Sequence, residues 1–313
     1  MSDIVLPTNN LAFKKILANE QHTEIPIGLI WDFYGIDVKD IVINNPYSIE
    51  AFNATLEGFE KGGFETLEKA GYFFTEVDAF CTASDNRKFS SEMQLCPKKF
   101  LGERMMYYSS TKFCENYGNL ALMRNESKYS SLYPMYTINI LGFNRYEDDF
   151  AIHRFVNMDI DTGIHFNVPD LTILGVFELK KQNFRECQNL SYWREFFLTG
   201  KADDAAPDYI KKAADIIKTA NFSKEEKRMV DVFERAEQDY IAAVLYEREE
   251  SELRGELRGE LRGELKGKLE GAFNLVSRFG FSVTNAMQAQ NLPDDARDRL
   301  IENLEDCGIE YSP

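Results

Sequence analysis

The chain has 313 residues, 44% of them hydrophobic, enough to bury a substantial core in one large domain with an appendage or in two domains. Its 36 Lys and Arg against 52 Asp and Glu leave a net charge of −16, whose average field repels polyanions, so contact with a nucleic acid requires a local basic patch or a bound cation. Cys81, Cys96, Cys114, Cys187 and Cys307 are widely spaced with no C-x-x-C, and none of His22, His153 and His165 stands at ligand spacing from a Cys or another His. That pattern fits reduced thiols better than a disulfide framework or a zinc cage, and Cys96, with no His partner in sequence, reads as structural. The opening MSDIVLPTNN lacks the basic and apolar regions of a signal peptide, and no apolar run is long enough to span a bilayer, so the expectation is a cytoplasmic protein.

PTNNLAFKKILANE places Leu11, Phe13, Ile16 and Leu17 at helical spacing behind an Asn9 or Asn10 cap. A second helix is expected from about Thr23 to Tyr34, then a short strand in VKDIVINNP. The stretch from Tyr47 to Lys69 carries no assignable pattern. YFFTEVDAF and RKFSSEMQL are β-type runs separated by Ser84-Asp85-Asn86, a hairpin signal. An odd-length loop centred on Asp85 gives opposed residues an index sum of 170, which sets Asp78 across from Glu92, with Glu76 and Gln94 on the same face. KKFLGERMMYYSSTKFCENYG reads as a helix stopped at Gly118, YPMYTINILGF as a central strand, and DLTILGVFELKK as a further strand. From NLSYWREFFLTG to DYIAAVLYERE the pattern is helical, interrupted at ADDAAPD. The order is mixed α/β, with a sheet-bearing block at 1–200, a helical extension at 201–250 and a repeat tail at 251–313.

The tail, ELRGELRGELRGELKGKLEG, repeats every four residues. As a helix it places Glu under Glu and Arg under Arg at i,i+4, which is destabilising, and each of Gly255, Gly259, Gly263 and Gly267 costs about 1 kcal/mol relative to Ala. A second helix would offset this if the Glu row of one met the Arg row of the other. The tail is therefore read as a homo-oligomer contact, against the alternative of a charged tether.

Two acids on neighbouring strands suit Mg²⁺ or Mn²⁺, hard cations that take oxygen ligands and keep several waters. In a chain with 52 acids, two on a strand pair are common by chance, and spacing alone favours a solvated face. Resemblance separates the two. Asp78, Asn86-Arg87 and Glu92-Met93-Gln94 resemble the active-site hairpin of the recombination-promoting nuclease (Rpn)/putative transposase family of the PD-(D/E)XK nuclease superfamily. NNLAFKKILANE, DIVINNP, FLGERMMYYSS, YPMYTINILGF, FELKK and YWREFF are similar to that family's elements in the same order. The resemblance implies an α/β fold, a PD-(D/E)XK restriction-endonuclease-like mixed sheet flanked by helices, followed by an α-helical C-terminal region. It also implies a Mg²⁺-dependent DNA endonuclease with Asp78 and Glu92 as metal ligands and Gln94 as the third catalytic position, where the superfamily usually carries Lys. Gln94 can act only through hydrogen bonds, so Lys98 or Arg104 is the expected source of the missing charge. Asn10 stands where relatives often carry an acid, and Glu76 is a further oxygen donor to consider. Lys14, Lys98, Lys99 and Arg104, with Lys15 and Lys112, are the candidate contacts to a DNA backbone, and Tyr107 and Tyr108 to sugars or bases. The alternatives are a nuclease-fold DNA-binding or scaffold protein with weak turnover, and a toxin-like nuclease restrained by a partner.

Overall fold

The computed structural model describes residues 3–48 and 79–313. Two compact units divide the chain, Met1–Glu237 and Gln238–Pro313.

In the first unit, α1 (Asn10–Leu17) starts where the Asn9 side chain accepts the N–H of Leu11, as the sequence suggests. α2 (Glu24–Tyr34) ends at Gly35 with φ 68°, the left-handed cap that glycine adopts without a Cβ penalty. β1 (Ile41–Ile43), β2 (Ala79–Ala83) and β3 (Lys88–Gln94) pair antiparallel in that order. The β2–β3 register joins Ala79 to Ser91 and Phe80 to Ser90, so the expected index sum of 170 is observed. Asn86 turns the hairpin at φ 67°, a conformation Asn tolerates better than most residues.

α3 (Leu101–Cys114) leads to β4 (Met135–Leu141), which lies parallel to β3. The helix stops at Cys114, before the expected Gly118, whose φ of 75° serves the following turn. β4 is central, as its apolar run predicts, with β6 (Thr172–Glu178) parallel on its other side. An unexpected strand, β5 (Ile152–Phe155), pairs antiparallel to β6 and closes the order β1-β2-β3-β4-β6-β5. Four residues that include His153 and Arg154 give too short and too polar a run to announce a strand.

One sheet face packs on α1, α2, α4 (Leu190–Thr199) and α5 (Asp208–Ile216), burying Phe89 and Met93 of β3 with Leu11, Ile16, Leu29, Phe33, Trp193 and Ile210. The other face is covered by α3: Leu101 and Met105 meet Leu141 and Val176, and Tyr108 and Phe113 meet Phe80 and Met135. This is the expected mixed α/β sandwich.

α6 (Lys224–Phe279) is one continuous helix that includes the repeat. It opens with a capping box: Glu226 N–H donates to Ser223 Oγ at 3.1 Å while Ser223 N–H donates to the Glu226 carboxylate at 2.7 Å. Ion pairs one turn apart, Arg254–Glu250 and Lys268–Glu264, support the repeat at both ends. The second unit has its own small core, in which Ala272 and Val276 pack on α7 (Val283–Ala289) and α8 (Arg297–Asp306) through Met287, Leu300 and Leu304.

Candidate active site at the end of strand 3

Side chains alternate along β3, so Lys88, Ser90, Glu92 and Gln94 share the face under α3 while Phe89 and Met93 enter the main core. Toward the start of the strand the face is closed: Lys88 is 3% exposed, and its Nζ donates to the carbonyl of Lys112 at 2.7 Å, near the C-terminus of α3. A cation there complements the negative helix end. Burial, together with the neighbouring Lys112, pulls the Lys88 amine below the usual lysine range against the opposing effect of Glu115. Lys88 is the single lysine of β3, and this bond commits it to the helix end, four residues from Glu92.

Toward the C-terminal end the face opens. Glu92 and Gln94 are partly exposed, two residues apart on one side of the strand. Glu92 is flanked in register by Asn139 of β4, which is buried and donates to Thr137 Oγ1 at 3.0 Å and to the Gly175 carbonyl at 2.9 Å. Above it stands Tyr108 of α3, whose hydroxyl is pushed to higher pKa by burial, with Glu92 and Tyr107 adding to the effect and Arg104 opposing it. The Arg104 guanidinium lies 5.5 Å from the centre of the Tyr108 ring. Glu92, Tyr108 and Arg104 thus form one electrostatic neighbourhood.

Asp78 and Glu76 lie outside the described residues. Lys98 and Lys99 fall in the turn that follows β3, with Lys99 exposed. Lys14 is on α1, which packs on the sheet face opposite Glu92. Lys15 does not face solvent for a phosphate: its Nζ pairs with Glu226 at 2.7 Å, donates to the Asn221 carbonyl and sits 4.2 Å from the Phe222 ring centre. Lys112 is held at 2.6 Å by Glu115. Lys15 fastens α1 to the start of α6, while Lys112 pairs within the end of its own helix, and their sequence positions alone revealed neither role.

Two further residues at this end were not singled out from the sequence. Phe100 adopts φ 58°, is 70% exposed and starts α3 without a side-chain cap. A left-handed phenylalanine costs about 1–2 kcal/mol, and such outliers concentrate at functional sites. Arg145 is exposed beyond the end of β4, and its guanidinium lies so close to Gly102 that a Cβ there would sit 2.9 Å from it. Its backbone N–H and that of Tyr146 are both accepted by the fully buried Glu178, whose other oxygen takes Lys181 Nζ at 2.8 Å. The buried carboxylate therefore fixes the loop that carries Arg145.

The donor set suits a hard divalent ion in kind, since Glu92 and Gln94 offer oxygen and no sulfur or imidazole. Among the described residues, no three His, Cys, Asp or Glu side chains converge to hold a metal, so a complete site needs a donor beyond them. Among the same residues, no helix is long and apolar enough to cross a membrane.

No curated protein and no solved structure matches the chain. A family model described as PD-(D/E)XK nuclease family transposase matches residues 7–247, which takes in the whole sheet, the α3 layer and the start of α6. Such nucleases generally use divalent metals such as Mg²⁺. With that match over most of its length, the chain belongs to the PD-(D/E)XK nuclease family transposases and has a function of the nuclease type.

Proposed function

We propose that this protein is a Mg²⁺-dependent DNA endonuclease in which Asp78 and Glu92 hold the cation. The observation that carries this reading is the β2–β3 register. Its pairs keep an index sum of 170 as far as Ala79 and Ser91, and continuing the ladder by one pair would set Asp78 opposite Glu92, on the open face. When bound, a divalent cation neutralises charge growing on a phosphodiester and lowers the pKa of the attacking water. The chain's own residues do the rest. Gln94, one step along the same face, orients the water or a phosphate oxygen by hydrogen bonding. Arg104, Lys98 and Lys99 supply the positive charge that Gln94 lacks, and Arg145, on its fixed loop, is placed for a backbone phosphate. Phe100 offers an exposed ring for a sugar or base.

Purified protein is expected to nick supercoiled plasmid with Mg²⁺ and to stop with EDTA, while Asp78→Ala and Glu92→Ala each lose at least 100-fold of the rate. Variants that cut as well as the wild type would remove the ligand assignment.

Gln94 also favours a second reading, a nuclease-fold protein that binds DNA with little turnover. The exposed leucines of the repeat, Leu253, Leu257 and Leu261, and the open space beside Gly255, Gly259 and Gly263 support a role for the tail helix in self-association. DNA binding that persists without metal, with no cleavage under any divalent ion, would select this reading.

A further inference from the structure

The repeat in α6 orders its residues around the helix as well as along it. At about 100° per residue, the Glu, Leu, Arg and Gly of each unit follow one another around the axis. The row of Leu253, Leu257 and Leu261 therefore runs between a flank of glutamates, with Glu256 and Glu260 at its middle, and a flank of arginines, with Arg258 and Arg262. The glycine row lies behind it. Leu253 is 66% exposed and Leu257 and Leu261 are each 57% exposed, so this face is open in a single copy.

The charges on the two flanks are unmatched along the helix. At every i±3 and i±4 position Glu256 and Glu260 meet Glu, Leu or Gly, and Arg258 and Arg262 meet Arg, Lys, Leu or Gly. Like charges at i±4 destabilise a helix. At the ends of the repeat the pattern breaks and pairs form, Arg254 with Glu250 and Lys268 with Glu264. The middle thus carries an acidic row and a basic row that need a partner from outside the helix.

A second copy supplies it in one orientation. When two such helices meet leucine to leucine about a two-fold axis parallel to them, the Glu flank of each faces the Arg flank of the other on both sides. This is how e and g charges set orientation in a parallel coiled coil. With one copy reversed, Glu faces Glu and Arg faces Arg. Antiparallel helices escape that clash by setting the leucine row of one on the glycine row of the next, but such a contact is heterologous and leaves one leucine row of the pair open. Glycine to glycine in parallel also matches charge, yet it buries no side chain. The four-residue period exceeds that of the helix, so the row drifts about 40° per unit in the right-handed sense. Rows of this kind pack at a crossing angle of about −50°, which confines the contact to about three units.

We infer that α6 pairs with the α6 of a second copy, parallel and in register, through the Leu253, Leu257 and Leu261 row, with the Glu row of each copy against the Arg row of the other. Three leucines a side bury less than the roughly 1,200–2,000 Å² of a stable interface, so the pairing is concentration-dependent. Because α6 begins in the first unit, a parallel pair carries the first units of both copies at the same end. The pairing involves no catalytic residue and stands whether or not the protein cuts DNA.

The test uses the full chain with the photo-crosslinker p-benzoylphenylalanine in place of Leu253, irradiated as an equal mixture of isotopically light and heavy protein and digested with trypsin. The expected main product joins the light and heavy copies of one peptide, residues 249–254, and its yield rises with protein concentration. An antiparallel pair joins that peptide instead to one of the GELR peptides of residues 255–262. That product, or the absence of any mixed crosslink, would overturn the assignment. Glu256→Arg with Glu260→Arg, and separately Arg258→Glu with Arg262→Glu, should each lower the yield by about fivefold or more. Mixing the two variants, one light and one heavy, should restore it. A loss that persists in the mixture would show that the charge rows do not select the partner and would equally overturn the pairing.

Discussion

Asp32 is the acid on which the helical layer of the first unit converges, and its removal has a calculable cost. The side chain is buried at 6% exposure on α2, and one oxygen accepts Trp193 Nε1 at 2.9 Å and the Tyr209 hydroxyl at 2.7 Å, while the other accepts Asn189 Nδ2 at 2.9 Å. Burial and donation to Asp32 push the Tyr209 hydroxyl well above the usual tyrosine range, so it remains a donor at neutral pH. A hydrogen bond to a charged group contributes about 1.5–3 kcal/mol, and a buried donor left unsatisfied costs about 1–3 kcal/mol. Asp32→Ala strands the indole and phenol donors together and should destabilise the unit by about 4 kcal/mol. Asp32→Asn should cost only about 1–2 kcal/mol, because its carbonyl can take the two-donor side while the Asn189 amide flips to accept from the new NH₂. Both tryptophans, Trp31 and Trp193, lie in the first unit, so urea unfolding followed by tryptophan fluorescence reports on that unit alone. Asp32→Ala within 1 kcal/mol of the wild type, or Asn no better tolerated than Ala, would refute this account of how α2, α4 and α5 are joined.

The remaining predictions concern pH, packing and the site. Burial raises the Glu226 carboxyl, but Lys15, Tyr47 and the Ser223 N–H outweigh it and hold the group below the usual glutamate range. Its stabilisation is therefore complete above the unfolded value of about 4.3 and lost as pH falls through the lower folded value. The deficit of Glu226→Gln in denaturant melts, about 2 kcal/mol at pH 7, should accordingly shrink as pH falls below the unfolded value, and a pH-independent deficit would contradict the assignment. Gly175 has no room for a Cβ, which would collide with the Thr137 carbonyl, the Tyr34 hydroxyl and the Phe33 ring, so Gly175→Ala should cost about 3 kcal/mol in the same melts. Phe100→Gly should gain about 0.5 kcal/mol, since relief of the left-handed strain exceeds glycine's added chain entropy, while weakening DNA binding in fluorescence anisotropy. Loss of stability with unchanged binding would show that Phe100 has a packing role only.

Much of the architecture is legible in the residues because it rests on local rules. Asn9 ahead of a periodic apolar run announces α1, and the Ser84–Asn86 turn fixes the β2–β3 register without tertiary information. The largely apolar run of β4, MYTINIL, likewise marks a strand buried on both faces. What escaped depends on contacts distant in sequence. β5 is a strand because β6 offers it an edge, and its own residues do not declare it. Lys15 looks like surface charge until Glu226, 211 positions later, is brought beside it. Gly175 and Gly102 are unremarkable in sequence, and their meaning comes from Tyr34 and Arg145 arriving at their backbones. The small core of the second unit pairs Ala272 and Val276 with Leu300 and Leu304, a spacing that the conspicuous repeat upstream obscured. For the candidate site, the strand alternation that puts Glu92 and Gln94 on one face was readable in advance. The environment of Tyr108 and Arg104, and the commitment of Lys88 elsewhere, were not.

The proposed chemistry rests on Asp78 and Glu92 gripping one divalent ion. Anomalous diffraction from crystals of the intact protein soaked in Mn²⁺ locates that ion directly. The account predicts a single strong peak about 2.1 Å from a carboxylate oxygen of each residue, absent in Glu92→Ala. A peak held by other side chains, or none at Mn²⁺ concentrations that support plasmid cleavage, would contradict it.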